Sequence, residues 1–302
     1  IQKVLWKLFH QAKVPSVSFT GGEPTLLAAL PALIRYAKAL GMRVNLITNG
    51  TLITPRMAQE LADHGLDSAQ VSLEGVTAAT HDAIVNVPGA YTRTVAAVKH
   101  LKQAGILTHT NTTLTRKNLH ECALFPQFVR EAFDNDKFSM NLMIPTGNGA
   151  IHKGLMVTYR EIGPHLEQIL AASERQGVEF LWYSPVPMCL FNSIIYGLGN
   201  KGCSACDGLI SIGANGDVLP CAAYDDPVGN LLQQDFASIW HSPSAHTYRE
   251  KGYAHPQCRA CEHFSICNGA CPLYWRHAGF DELQDVMGCE ASLVSPTLMR
   301  RT

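Results

Sequence analysis

Charge is scarce in this 302-residue sequence: only 16% of its residues are Asp, Glu, Lys or Arg, against roughly 25% in an ordinary soluble domain. The 24 basic and 25 acidic residues nearly cancel, leaving a formal charge of -1. A general nucleic-acid binder or a protein held on anionic membranes needs a basic field. Both classes are therefore set aside for the chain as a whole, and any charged partner must be recognised locally. No apolar run reaches the ~18–20 residues that cross a bilayer, and no basic start followed by an apolar stretch marks a secretory signal. These absences predict a cytosolic (cytoplasmic) protein. Low complexity is missing too, since 46% hydrophobic residues suffice for a sizeable core.

Cysteine is nearly absent from the first 188 positions. Cys122 stands alone there, in the apolar stretch ECALFPQFV, and reads as a core thiol. The other nine crowd the last third: Cys189, Cys203, Cys206, Cys221, Cys258, Cys261, Cys267, Cys271 and Cys289. Thiols in a cytosolic chain stay reduced, so this crowding argues for metal binding rather than for a disulfide framework. The spacing is Cys206-x9-Gly216-x4-Cys221, then Cys258-x2-Cys261-x5-Cys267-x3-Cys271, then Cys289. Thiolates so spaced can close a tetrahedral zinc site or supply about four ligands to each iron-sulfur cluster. Two clusters need eight; the pattern holds seven, and either Cys203 or Cys189 can be the eighth. The plain alternative is a zinc module on Cys258, Cys261, Cys267 and Cys271, which leaves the upstream Cys-Gly-Cys spacing and Cys289 without a role.

In the first half, β-rich runs at 16–20, 43–48, 68–73, 107–113 and 138–143 alternate with amphipathic helical stretches at 26–40, 54–64, 91–104 and 119–132. That alternation predicts an α/β fold with a parallel sheet. A further helix at 159–176 and a strand at 178–183 follow, and the Ser-Pro-Val-Pro-Met stretch after them marks a boundary. In barrels built this way chemistry gathers where strands end. The strand ends here read Thr20-Gly21-Gly22-Glu23-Pro24-Thr25, Thr48-Asn49-Gly50, Ser72-Leu73-Glu74-Gly75 and Ile144-Pro145-Thr146-Gly147. Paired glycines let backbone approach a ligand, Pro24 can open a helix, and Glu23 adds a carboxylate. Each segment alone could equally be a turn.

Taken with the cysteine pattern, these segments resemble the radical S-adenosylmethionine (radical SAM) enzymes, and 203–289 resembles their SPASM domain, which typically carries two auxiliary four-iron four-sulfur clusters. The resemblance implies a partial (β/α)6 TIM-like barrel over 1–150, a bridging segment over 151–188, and a small irregular α+β cysteine-rich domain over 189–302. It implies that Gly21, Gly22 and Glu23, beside Pro24, meet the methionine amino group of S-adenosylmethionine. Thr48, Asn49 and Glu74 then belong to the same site, Ser72 bonds the ribose, and Ile144 and Gly147 pack on adenine. Cys206, Cys221 and Cys271, with Cys203 or Cys189, would hold one cluster; Cys258, Cys261, Cys267 and Cys289 would hold the other.

The family also carries a Cys-x3-Cys-x2-Cys loop for a third, reducing cluster, and 1–302 contains no such loop. The chain opens at Ile1 inside a helical pattern, so the first strand and that loop are expected ahead of it, and 1–302 alone is expected to be inactive. His81-Asp82 is followed by Ala-Ile-Val-Asn rather than by the arginine often found there, which leaves the methionine carboxylate unassigned.

The implied activity is formation of a 5′-deoxyadenosyl radical that takes hydrogen from an unactivated carbon, with electrons from a donor such as flavodoxin or ferredoxin. The implied substrate is a peptide or a peptide-derived cofactor precursor. The alternatives are oxidative decarboxylation of a tetrapyrrole side chain and a non-catalytic iron-sulfur or zinc protein. Sulfatase maturation is disfavoured, because Ala222 stands where those enzymes carry an aspartate. Asp225 is a displaced candidate base whose plain reading is a solvated loop acid.

Overall fold

The computed structural model describes residues 1–287, so Cys289 lies outside the described residues. Six strands form one sheet in chain order: β1 (Ser16–Phe19), β2 (Arg43–Thr48), β3 (Ser68–Ser72), β4 (Leu107–Leu114), β5 (Lys137–Leu142) and β6 (Glu179–Trp182). The pairs β1–β2, β2–β3, β3–β4 and β5–β6 are parallel, with Ser18 opposite Asn45, Asn45 opposite Ser68, and Met140 opposite Trp182. The strand foreseen at 178–183 is thus the sixth of the sheet. The helices are α1 (Gln2–His10), α2 (Leu30–Leu40), α3 (Pro55–Asp63), α4 (Ala78–Val85), α5 (Ala90–Gln103), α6 (Phe125–Phe133) and α7 (Tyr159–Gln176). By contacts the chain divides into Ile1–Asn141 with Gln168–Trp182, and Leu142–Glu167 with the residues from Tyr183 onward.

Alternation along the strands sorts the side chains by face. Val44, Leu46, Ala69, Val71, Phe138 and Met140 are wholly buried. Their neighbours on the other face are polar and bond across the strands. Asn45 Nδ2 donates to Ser18 Oγ (3.2 Å) and Ser68 Oγ to Asn45 Oδ1 (2.8 Å). Asn111 Nδ2 donates to Asn141 Oδ1 (2.7 Å) and Ser139 Oγ to Asn111 Oδ1 (2.8 Å). A parallel sheet covered by helices on both sides reads as continuous apolar runs. A polar, half-buried face is instead how a sheet lines a ligand space.

Three elements depart from the pattern read in the sequence. The helix expected over 26–40 begins at Leu30, after a separate 3-10 turn at Pro24–Leu26. The stretch at 119–132 splits into a 3-10 segment (Leu119–Leu124) and α6, because Pro126 favours the first turn of a helix over its interior. Helix α4 was not foreseen: its apolar residues follow no face, and His81 is its buried side chain. Its start is nonetheless capped, with Thr77 Oγ1 accepting from the Thr80 N–H at 3.3 Å.

The cysteine-bearing unit holds a small antiparallel sheet of β7 (Ser211–Ile212), β8 (Asp217–Leu219) and β9 (Gly229–Asn230). Short helices follow: α8 (Phe236–Trp240), α9 (Pro243–Arg249), α10 (Pro256–Arg259), α11 (Phe264–Cys267), α12 (Pro272–Ala278) and α13 (Asp281–Met287). Its aromatic core stacks Tyr159 on Tyr274 at 3.6 Å between ring centres, and Trp275 Nε1 donates to the Gly269 carbonyl at 2.7 Å. No helix among the described residues is long and apolar enough to cross a membrane.

Candidate cofactor and cluster sites

In the sheet unit, β1 runs into an open loop. Gly21 and Gly22 are exposed, and a Cβ on either would meet no atom within 4 Å, so the loop leaves free space beside its backbone. Glu23 anchors this loop to the end of β2. Its Oε1 accepts from the Thr25 N–H (3.1 Å), Thr25 Oγ1 (2.5 Å) and Thr48 Oγ1 (2.7 Å), and its Oε2 from the Asn49 N–H (2.8 Å). A carboxylate offers about four acceptor sites, and these four bonds match that number, so Glu23 fixes the loop to the end of β2. Pro24 opens the short 3-10 turn that Glu23 caps. Gly50 lets β2 lie against α5: its φ is +76°, and a Cβ there would sit 2.8 Å from the Ala97 Cβ.

Ser72 ends β3 half-buried, and Glu74 follows it. Burial pushes the Glu74 carboxyl up to about 7, although the Thr113 N–H donates to its Oε2 at 2.8 Å. Burial also holds His81 below its usual value and therefore neutral. Its Nδ1 accepts the Glu74 N–H at 3.0 Å, which leaves the ring proton on Nε2. Three residues that sequence reasoning passed over or left without a role fix this loop: His81, Asn118 and Glu121. Asn118 Nδ2 donates to the Glu74 carbonyl (2.9 Å), and Glu121 accepts from the Val76 N–H (2.7 Å), Thr77 Oγ1 (2.7 Å) and Thr80 Oγ1 (2.6 Å). Burial alone would raise Glu121, but those hydrogen bonds outweigh it and hold the carboxyl below its ordinary value. The available signal was a lone acid inside an apolar stretch, which is seldom buried unless paired.

Ile144 and Gly147 belong to the other unit and are described with it. They lie in a turn in which the Thr146 N–H donates to the Ile144 carbonyl (2.7 Å) and the Gly149 N–H to the Thr146 carbonyl (2.9 Å).

In the same unit the thiols gather into two sets. Cys206 and Cys271 each lie within electrostatic reach of Cys203 and Cys221, and Cys189, Cys258, Cys261 and Cys267 lie within reach of one another. The β7–β8 hairpin explains the first spacing: its strands pair antiparallel, so Cys206 before it and Cys221 after it return to one end. Its turn demands Gly216, where φ is +90° and a Cβ would lie 2.6 Å from Leu232 Cγ. The Cys267-x3-Cys271 step hands its two thiols to different sets. Asn268, Gly269 and Ala270 all have positive φ, which reverses the chain between them.

Among the described residues no three His, Cys, Asp or Glu side chains close around one metal ion. The second set instead lines a cavity of about 270 Å³. Cys271, which a zinc module on Cys258, Cys261, Cys267 and Cys271 would need, is not among the residues lining that cavity. All nine described cysteines are free of disulfides.

The surroundings of the first set suit an anionic, all-thiolate centre. Lys251 is 6% exposed and donates to the Cys203 carbonyl (2.8 Å) and to Asp207 (3.2 Å). Arg249 lies 4.5 Å over the Trp240 ring, and its buried Nη1 has no hydrogen-bond partner. Both cations act on Cys206. An orphaned buried donor near Cys206 is one that the acceptors of a bound cluster would satisfy. Burial pushes Cys206 up to about 11 and Cys258 and Cys271 up to about 12, so these thiols are neutral and must give up protons to bind iron. Asp225 lies exposed on the loop after Cys221, and its neighbour Asp226 pairs with Arg276 at 3.3 Å.

Comparison with known proteins matches residues 1–123 to the Radical SAM superfamily and residues 203–262 to SPASM, an iron-sulfur cluster-binding domain. The AdoMet-dependent heme synthase of Oleidesulfovibrio alaskensis is 30% identical over 292 residues, covering 88% of this chain and 72% of that protein. The chain belongs to the radical SAM superfamily. This radical SAM chain is also 28% identical to the PqqA peptide cyclase of Bradyrhizobium diazoefficiens, covering 89% of itself and 71% of the relative. Streptococcus suis SuiB, in its crystal structure with the precursor peptide SuiA, superposes with a TM-score of 0.73 at 21% identity over 90% of this chain and 65% of SuiB. That likeness shows the shared fold.

Proposed function

We propose that this radical SAM chain binds S-adenosylmethionine at Gly21, Gly22, Glu23 and the strand ends at Thr48, Asn49, Ser72 and Glu74, and holds two auxiliary four-iron four-sulfur clusters on its two thiol sets. The observation that carries the reading is the convergence of eight cysteines, scattered over 83 positions, into two sets of four. When bound, S-adenosylmethionine and a reduced cluster supply a 5′-deoxyadenosyl radical for hydrogen abstraction from carbon, an oxidoreductase chemistry. The chain's own residues do the positioning. Gly21 and Gly22 leave backbone open to the ligand, and Glu23 holds the loop against Thr48 and Asn49 and supplies a negative charge beside it for a ligand ammonium. Ser72 offers a hydroxyl to a ribose. All-cysteine ligation suits the two sets to electron transfer from or to the substrate. The free thiols support a reducing, cytosolic setting, with flavodoxin or ferredoxin as the class of electron donor.

For the substrate, the relatives named heme synthases, which match most of the chain, favour a tetrapyrrole side chain that loses a carboxyl group. The relatives named PqqA peptide cyclases favour the second reading, a peptide. The test is anaerobic incubation of the iron-loaded, reduced enzyme, expressed from its whole reading frame, with S-adenosylmethionine and either a carboxylated tetrapyrrole or a candidate precursor peptide. Release of 5′-deoxyadenosine with a substrate mass change is expected. An iron-loaded enzyme that yields no 5′-deoxyadenosine overturns the catalytic reading and leaves an electron-carrying iron-sulfur protein.

A further inference from the structure

We propose that Tyr253 donates a hydrogen bond to the centre held by the first thiol set and, together with Arg249 and Lys251, forms a donor arm that raises the reduction potential of that centre. The inference rests on the reading of Cys203, Cys206, Cys221 and Cys271 as a cluster site, and it adds residues that the cysteine pattern does not contain.

The arm is the turn that ends α9, and its alternate residues serve the same thiols. Arg249 acts on Cys206, and its Nη1 is buried without a hydrogen-bond partner. Lys251 Nζ donates to the Cys203 carbonyl at 2.8 Å; its charge is opposed by Asp207 at 3.2 Å, whose side chain is 59% exposed. The Tyr253 hydroxyl is buried and forms no hydrogen bond, although Cys203 and Cys271 both lie within electrostatic reach of it and Cys203 is near enough to be its acceptor. Two orphaned donors on one five-residue turn thus face one thiol set, in a fold where buried polar groups ordinarily find partners. Among the described residues that line the cavity of the second set, no side chain carries a buried polar atom without a partner.

The turn is also strained and locked. Lys251 has φ +53°, the left-handed conformation that favours glycine. The Ala254 N–H (2.9 Å) and Arg259 Nη2 (3.1 Å) both donate to the Lys251 carbonyl. The Gly252 N–H donates to the Thr247 carbonyl at 2.8 Å, and a Cβ at Gly252 would lie 2.8 Å from Thr247 Cγ2. Left-handed backbone at a non-glycine residue persists where its surroundings over-determine it, and such positions cluster at ligand sites. An anionic group rich in acceptors accounts for the strained turn, the buried ammonium and both unpaired donors together.

Reduction adds one negative charge to a four-iron four-sulfur centre. Hydrogen bonds and cations at its sulfurs favour the more negative form, so they raise the potential. A phenol remains protonated at neutral pH and donates steadily there.

The test is Tyr253→Phe in the whole enzyme, prepared anaerobically and titrated with a chemical reductant while the electron paramagnetic resonance is followed. The signal of the first centre is the one that Cys206→Ser removes. The hydroxyl has no protein partner, so its removal should leave folding, iron and acid-labile sulfide at wild-type levels. At a fixed potential the reduced-to-oxidised ratio of the first centre is expected to fall about tenfold, equal to about 59 mV for a one-electron couple, while the other signals keep their midpoints. An unchanged midpoint in fully loaded Tyr253→Phe overturns the proposal. So does an equal shift of every centre, which would be a global effect, or loss of iron from the first centre, which would give Tyr253 a part in assembly instead. Wild-type protein that binds no iron and sulfide would sink the cluster reading itself, a distinct result.

Discussion

In the sheet unit, Val44, Leu46, Ala69, Val71, Phe138 and Met140 are wholly buried, and helices α1 to α6 run from eight to 14 residues. In the cysteine unit the strands have two or three residues, and the helices after Trp182 have four to seven. A helix shorter than about 12 residues is marginal by itself, and strands this short bury little. The sheet unit is held by its apolar face. The cysteine unit has a modest aromatic core around Tyr159, Tyr274 and Trp275 and must draw the rest of its order from ligation, as small metal-bound domains do. Anaerobic iron chelation should therefore split the molecule. Amide protection over α10, α11 and α12 is expected to fall by more than about a thousandfold, while β2, β3 and β4 keep theirs. Equal loss in both units, or loss in neither, would break the comparison.

The next largest effect concerns pH and runs through Glu74. Its carboxyl titrates near 4.5 in an unfolded chain, and burial pushes it up to about 7 in the fold. The folded state thus holds a proton that the unfolded state has lost. The stabilisation is complete below pH ~4.5 and disappears as pH rises through ~7, an amount of about 3 kcal/mol at 1.36 kcal/mol per pH unit. Glu74→Gln cannot ionise and can still accept from Thr113, so the urea midpoint of the sheet unit should become flat between pH 5 and 8 where wild type declines. A variant that declines in parallel with wild type assigns the pH dependence elsewhere. In the cysteine unit the sign is opposite, since thiols must lose protons to hold iron, and cluster retention should weaken as pH falls.

What could be read from residues alone follows the same division. Strands β1 to β6 were legible because four to eight residues of alternating pattern suffice to show a period, and the loops at Gly21–Glu23 and Thr48–Gly50 fall where strand ends require loops. Strands β7 and β9, two residues each, carry no period to read. Cysteine spacing revealed which thiols belong together as a class but not how they are shared out. The division of Cys267 from Cys271 depends on the three positive-φ residues between them, and the approach of Cys189 depends on a turn at Pro187. Both are tertiary facts. So is the role of Glu23, whose bonds to Thr48 and Asn49 cross 25 and 26 positions, and that of Glu121, which reaches back to Val76, Thr77 and Thr80.

The smallest effect separates two glycines with nearly the same backbone. Gly41 closes α2 at φ +95°, and Gly216 turns the β7–β8 hairpin at φ +90°. An alanine at either position meets the same left-handed strain of about 1 kcal/mol. At Gly41 the added Cβ finds only the Phe9 ring at 3.6 Å, an ordinary contact, whereas at Gly216 it would lie 2.6 Å from Leu232 Cγ and 3.1 Å from Asn230 Oδ1. Leu232 has to move, and the hairpin that brings Cys206 and Cys221 to one end moves with it. Gly216→Ala should therefore cost about 1–2 kcal/mol more than Gly41→Ala, read as amide exchange over each local element. It should also lower iron at the first thiol set, which Gly41→Ala leaves intact. Equal costs would mean that the cysteine unit absorbs strain as readily as the sheet unit, and that ligation, rather than hairpin geometry, places Cys206 against Cys221.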